Sequence, residues 1–93
     1  MEYKITATLK QIFPVLTGEN KTGPWRKQQA LVEETNAKGF KTDLMVVFWN
    51  ERIYLLEQIA EGEERTFHFN VKSRKNRESW FTEVSVWKVT NEK

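Results

Sequence analysis

Residues 40–74 read FKTDLMVVFWNERIYLLEQIAEGEERTFHFNVKSR, and two changes of hydrophobic period inside them decide the architecture. Up to Trp49 the period is two. Leu44, Val46 and Phe48 fall in one row and Asp43, Met45, Val47 and Trp49 in the other, as in a strand buried on one face and partly covered on the other. From Asn50 the period lengthens: Ile53, Leu56 and Ile59 recur at every third position, with Asn50 as a cap and Gly62 as a stop. That pattern predicts one helix. After Gly62 the period returns to two, with Phe67, Phe69 and Val71 alternating against His68, Asn70 and Lys72 in a half-buried strand.

Upstream, residues 3–13 (YKITATLKQIF) place Tyr3, Ile5, Ala7 and Leu9 on one face, and the pattern slips at Gln11 and Ile12. A bulge there would bend the strand so that it serves two sheets. Residues 17–23 (TGENKTG) read as an exposed loop. From Trp25 a second strand begins, with Ala30 and Val32 assigned inward and Trp25, Lys27, Gln29 and Leu31 outward. Residues 35–39 (TNAKG) form the next turn. Downstream, residues 73–79 (SRKNRES) read as a polar cationic turn, followed by a strand that alternates Trp80, Thr82, Val84 and Val86 against Phe81, Glu83, Ser85 and Trp87. Alternation assigns Trp80, Val84 and Val86 to the interior. The last residues, TNEK, read as a frayed end.

With 93 residues and 39% hydrophobic content, the chain has material for one core, and residues 1–93 are expected to form a single domain. A chain this short buries only about two-thirds of its unfolded surface, so it needs aromatic bulk, a closed sheet or a partner subunit to reach ordinary stability. Three strands, a short helix and two further strands is the order of the OB-fold. The expectation is thus an all-β, five-stranded OB-fold Greek-key barrel with one short helix between strands three and four.

The run at 46–89, VVFWNERIYLLEQIAEGEERTFHFNVKSRKNRESWFTEVSVWKV, resembles the second half of the bacterial single-stranded DNA-binding protein family. The shared features are a valine-rich third strand ending in an aromatic, a helix, a glycine turn, a fourth strand, a basic hairpin and a TEV strand. The front half, with GPWRKQ at 23–28, is more similar to a family of short uncharacterised bacterial OB-like proteins with a GxWxKQ-type motif, a resemblance spanning almost the whole chain. The first resemblance implies that Trp49 stacks a base. It also matches Asp43 to a second stacking tryptophan of that family, so half of the platform is replaced. The glycine-rich linker and acidic tip by which typical members recruit partners have no counterpart here.

Trp25 opens the second strand and Trp49 ends the third, so an antiparallel pairing brings both rings and Lys27 onto one exterior face. Indoles in such a place serve either as stacking platforms or as covers for a barrel end or subunit contact. Lys72, Arg74, Lys75 and Arg77 put four cations within six residues, on the hairpin that borders the binding cleft in OB-folds. They either neutralise phosphates or solvate a hairpin tip. Lys21, Arg26 and Lys27 form a second, weaker cationic group. Phe81 and Trp87 fall on the face opposite the interior, where they pack on the chain's start or build a symmetric contact.

Other chemistries have little material. There is no cysteine, which removes disulfides and thiolate metal sites and suits a reducing cytoplasm. His68 is the single histidine and reads as a surface residue, so no metal or other cofactor is implied. No glycine-rich phosphate loop or nucleophile–histidine set is present, and a non-enzymatic protein is expected. Glu57, Glu61, Glu63 and Glu64 read as a solvated acidic face. The longest apolar run, LMVVFW at 44–49, is too short to span a bilayer, and the start MEYKITATLK has no secretory pattern. With a formal net charge of only +2, a polyanion must be recognised by local clusters. The leading expectation is binding of single-stranded DNA or RNA at Trp25, Arg26, Lys27, Trp49, Lys72, Arg74, Lys75 and Arg77. The alternative is a module that docks a protein partner or self-associates through the same aromatics. Carbohydrate stacking is a third reading, in which the cationic hairpin has no role.

Overall fold

The computed structural model describes residues 3–35 and 38–91, in six strands, one 3-10 turn and one helix. The strands are β1 (Tyr3–Ile12), β2 (Leu16–Asn20), β3 (Gly23–Thr35), β4 (Lys41–Trp49), β5 (Glu64–Asn76) and β6 (Ser79–Thr90). Between β4 and β5 lie the 3-10 turn Asn50–Arg52 and the helix α1 (Ile53–Glu57). Five strands close on themselves in the order β1, β3, β4, β6, β5. All of those pairings are antiparallel except β4 with β6, which run parallel through Val47 and Ser85. This is the OB-fold barrel, with β2 added as a ribbon on the first half of β3.

Closure depends on the bend in β1. Its first part pairs with β5 and its last part with β3, and the register slips between Leu9 and Gln11, so Lys10 is the extra residue. The bulge expected at Gln11 and Ile12 is therefore present one residue earlier. It lets Leu9 face the interior while Ile12 still packs against the core. The segment after α1 closes this corner: Gly62 N–H donates to the Leu9 carbonyl and Glu63 receives the Leu9 N–H at its own carbonyl, while the Glu61 carboxylate accepts from Ile12 N–H. The Glu63 carboxylate accepts from Ala60 N–H and from Arg65. The Ala60 bond first, then Arg65, holds it below the usual carboxylate range. Glu61 and Glu63 are thus fastened parts of a turn, a correction to their reading as a merely solvated face.

The interior is lined by Ala7, Leu9, Ala30, Val32, Val46, Phe48, Phe67 and Val86, as the two-residue alternation requires. Ile53, Leu56 and Ile59 are all buried against this core, so the expected apolar stripe is correct. The helix itself is shorter than expected and ends at Glu57. Asn50 does not cap it: with φ of 48° it turns the chain, and its side chain accepts from Arg26 N–H at 3.0 Å.

Two expected loops are strands. Residues 16–20 pair with 23–27 around a turn at Lys21 and Thr22, where Asn20 Oδ1 accepts from Thr22 N at 2.9 Å. Within β2 Leu16 is the single large apolar residue and no alternation follows it, which is why its sequence reads as a loop. Likewise β5 and β6 pair out to Asn76 and Ser79, leaving only Arg77 and Glu78 as the turn. Of the turn expected at residues 35–39, Thr35 ends β3, while Asn36 and Ala37 lie outside the described residues, as do Glu92 and Lys93 at the end. Among the described residues no helix is long and apolar enough to cross a membrane.

Trp80 and His68 reverse their assignments. Trp80 sits on the row that faces inward lower down, where Val86 is buried and Val84 half-buried, yet it is 67% exposed because the hairpin has run past the barrel's end there. His68 is only 7% exposed. The register between β5 and β6 shifts between His68 and Phe69, which leaves Trp87 as a bulged residue. Its ring covers His68 at 5.6 Å, and His68 Nε2 lies 3.2 Å from the Thr90 hydroxyl.

Candidate functional site

The outer surface of β3, β4, β6 and β5 is continuous, because the pairings align Gln29, Val47, Ser85 and Asn70 in one row across all four strands. Residues two positions away on each strand share that face. The row therefore extends to Lys27 and Trp49 on one side of it, and to Met45, Glu83 and Lys72 on the other. Lys27 and Trp49 are direct cross-strand partners. Trp25, one alternation earlier on β3, pairs with Gly18 of the β2 ribbon. Its indole lies against that glycine, and a Cβ at Gly18 would collide with the ring.

These registers bring the two indoles together. Their centroids are 5.7 Å apart at 64°, an edge-to-face pair. Lys27 Nζ lies 5.8 Å from the Trp25 ring and 5.4 Å from the Trp49 ring. From the hairpin, the Arg74 guanidinium stands 6.0 Å from the Trp49 ring. Trp49 is pinned at its edge as well, since its Nε1–H donates to Glu83 Oε2 at 3.0 Å, and the same oxygen accepts from the Ser85 hydroxyl at 3.1 Å. Both indoles are half-buried, held by packing while keeping aromatic surface at the groove.

Trp49, Arg74 and Glu83 form the shared wall of two hollows. One, about 480 Å³, lies toward Trp25, Arg52 and Lys72. The other, about 620 Å³, lies toward Lys27, Met45, Lys75 and Phe81. Each is within the size range of ligand clefts. Their lining is cationic and aromatic, and Glu83 is the single acidic residue among the described residues that line them. Among the described residues there is no cluster of histidine, aspartate and glutamate that could hold a metal ion.

The family described as domain of unknown function DUF3127 matches residues 4–90. The chain belongs to this family. No curated protein matches the sequence. Among solved structures, the DUF3127 chain is similar to the SSB domain of a Synechococcus protein, with a TM-score of 0.66 at 18% identity, covering 96% of this chain and 92% of that one. It is also similar to the protein PriB from Ralstonia solanacearum, with a TM-score of 0.63 at 11% identity, covering 99% and 97%. A third is the small single-stranded DNA-binding protein from Streptomyces coelicolor, with a TM-score of 0.57 at 9% identity, covering 99% and 92%. At these identities the likeness establishes the shared fold.

Of the sequence-derived residues, the DUF3127 barrel gathers Trp25, Lys27, Trp49 and Arg74 into one cluster, with Lys72 and Lys75 lining a hollow each. Arg26 alternates to the other side of β3 and lines neither hollow. Arg77 occupies the hairpin turn with φ of 60°, beyond the groove, and Lys21 is exposed in the β2–β3 turn. Sequence reasoning missed Glu83, Arg52 and Met45. The row Phe81, Glu83, Ser85 is legible from alternation, but its adjacency to Met45 and Trp49 arises from a parallel pairing between distant segments.

Proposed function

We propose that this face binds single-stranded nucleic acid, DNA in the first place, without a sequence motif. Bases stack on Trp25 and Trp49, and phosphates are held by Lys27, Lys72, Arg74 and Lys75, with Arg77 at the rim. The observation that carries the reading is the Trp25–Trp49 pair with Lys27 against both rings and Arg74 against the second. Aromatic rings interleaved with cations in an open groove suit a polymer of flat bases and regularly spaced negative charges. Trp25 does not stand in for the ring that the resemblance matches to Asp43, because Asp43 pairs with Glu33 toward the other end of β4; it extends the platform on the far side of Trp49. The names of the similar Synechococcus and Streptomyces structures lend support, since one is an SSB domain and the other a single-stranded DNA-binding protein.

The test is a titration of tryptophan emission with a mixed-sequence single-stranded oligonucleotide. Quenching is expected. Trp49→Ala should weaken binding by about fivefold to 150-fold, since stacking on one ring contributes about 1–3 kcal/mol per base. If four cations each neutralise a phosphate, log K should fall against log salt with a slope of about −3. Unchanged emission at high protein concentration and low salt would overturn the proposal.

The second reading, docking of a protein partner or self-association, draws on Trp80 and Phe81, which are 67% and 58% exposed on opposite faces of the hairpin end. Sedimentation separates the two: an oligomer that ignores oligonucleotides and disperses on Trp80→Ser favours docking.

A further inference from the structure

Glu83 is an anion placed in the middle of a cationic groove, and its bonding is asymmetric. Oε2 accepts two hydrogen bonds, from the Trp49 indole N–H and from the Ser85 hydroxyl. Oε1 accepts none from the described residues, and Glu83 forms no ion pair with them, although Lys72 is its partner across the β5–β6 ladder. Because an indole N–H lies in the plane of its ring, the carboxylate sits beside the Trp49 ring, close to that plane. A base stacked on Trp49 would then extend its edge over Glu83.

A carboxylate only accepts hydrogen bonds. Phosphate oxygens are repelled from it, so the backbone belongs on the flanking cations and a base edge belongs at Glu83. Cytosine, adenine and guanine carry exocyclic amino donors, and glutamate accepting from the cytosine amino group is an established pairing. Thymine and uracil instead present two carbonyl acceptors around one N–H, and an acceptor facing an acceptor is unfavourable.

We infer that Glu83 reads the edge of the base stacked on Trp49, biasing the groove toward amino-bearing bases and against thymine and uracil. The inference rests on the nucleic-acid reading above and adds to it a preference for base type, independent of sequence order.

The experiment compares oligo(dC) with oligo(dU) of equal length, which differ at the Watson–Crick edge and not in the size of the stacking ring. The titration is followed by the emission of the full chain at low salt. Oligo(dC) should bind about fivefold to tenfold more tightly than oligo(dU). In Glu83→Gln the amide oxygen can still accept from Trp49, while its amino group turns a donor to the groove. The ratio should then collapse or invert toward oligo(dU), each titration being referred to the variant's own free-protein emission, with far-ultraviolet circular dichroism unchanged. Equal binding of the two by the native chain, or a parallel shift of both in Glu83→Gln, overturns the inference and leaves Glu83 as a group that only positions Trp49, with the nucleic-acid reading intact. Absence of binding by either oligonucleotide overturns both.

Discussion

The barrel wall and the hairpin that projects from it follow the same two-residue alternation, yet they meet different surroundings. Along β4 and β3, inward residues such as Phe48 and Val32 are fully buried, because another strand of the closed sheet faces them across the axis. Along β6 the inward row runs Val86, Val84, Trp80, and exposure rises steadily from the first to the last. Nothing among the described residues covers the last of them, Trp80. Alternation assigns a side chain to a side of the sheet; closure decides whether that side is dry.

The first way to break this comparison is to remove a ring from each region. Phe48→Ala should cost about 3–5 kcal/mol of unfolding free energy, measured by denaturant titration, because a fully buried ring leaves a cavity that neighbouring strands cannot fill. A loss below about 1 kcal/mol would mean that the barrel collapses around the gap and is less rigidly closed than its pairings indicate.

An intermediate case sharpens it, since Trp25 is neither core nor free tip. Its ring is placed by the close approach of Gly18, so Gly18→Ala should displace it and break its edge-to-face geometry with Trp49. Loss of that geometry is expected to remove about 1 kcal/mol of aromatic interaction and to weaken oligonucleotide binding about fivefold. Near-ultraviolet circular dichroism would register the change in coupling between the indoles. An unaltered spectrum with unaltered binding would show that the ribbon yields instead of the ring.

The smallest effect belongs to the projecting tip. Trp80→Ala should change stability by no more than about 0.5 kcal/mol in the same denaturant titration, as an exposed residue away from caps and buried networks does. A loss comparable to that of Phe48→Ala would place Trp80 in a contact made in solution, and would favour the docking reading.

How far the chain could be read in advance follows from the same physics. Ala30, Val32, Val46 and Phe48 were legible as interior because apolar and polar residues alternate there, and Ile53, Leu56 and Ile59 because they recur at every third position. The bend in β1 was legible from the slip near Gln11. The β2 ribbon was not, since a polar edge held by backbone pairing and one indole on a glycine leaves no hydrophobic period. His68 reads as a surface residue because the bulge at Trp87, which covers it, depends on pairing between β5 and β6 that local pattern does not carry. At the site, Trp25, Lys27 and Trp49 were identifiable from strand ends, and Arg74 from its cationic run. Glu83 is not legible there, as a carboxylate within a TEV strand gives no sign that an indole N–H will hold it.

Period and composition, which are properties of neighbours in the chain, determined the existence of the barrel, the place of its helix and most of its interior. Pairing between distant segments decided the rest: that Trp25 meets Trp49, that Lys27 and Arg74 converge on the same ring, and that Glu83 stands among them. The division has a physical basis. Burial of an apolar row is driven by the side chains of one strand, whereas the meeting of two outward side chains depends on register across hydrogen-bonded ladders, and only the closed sheet fixes that register.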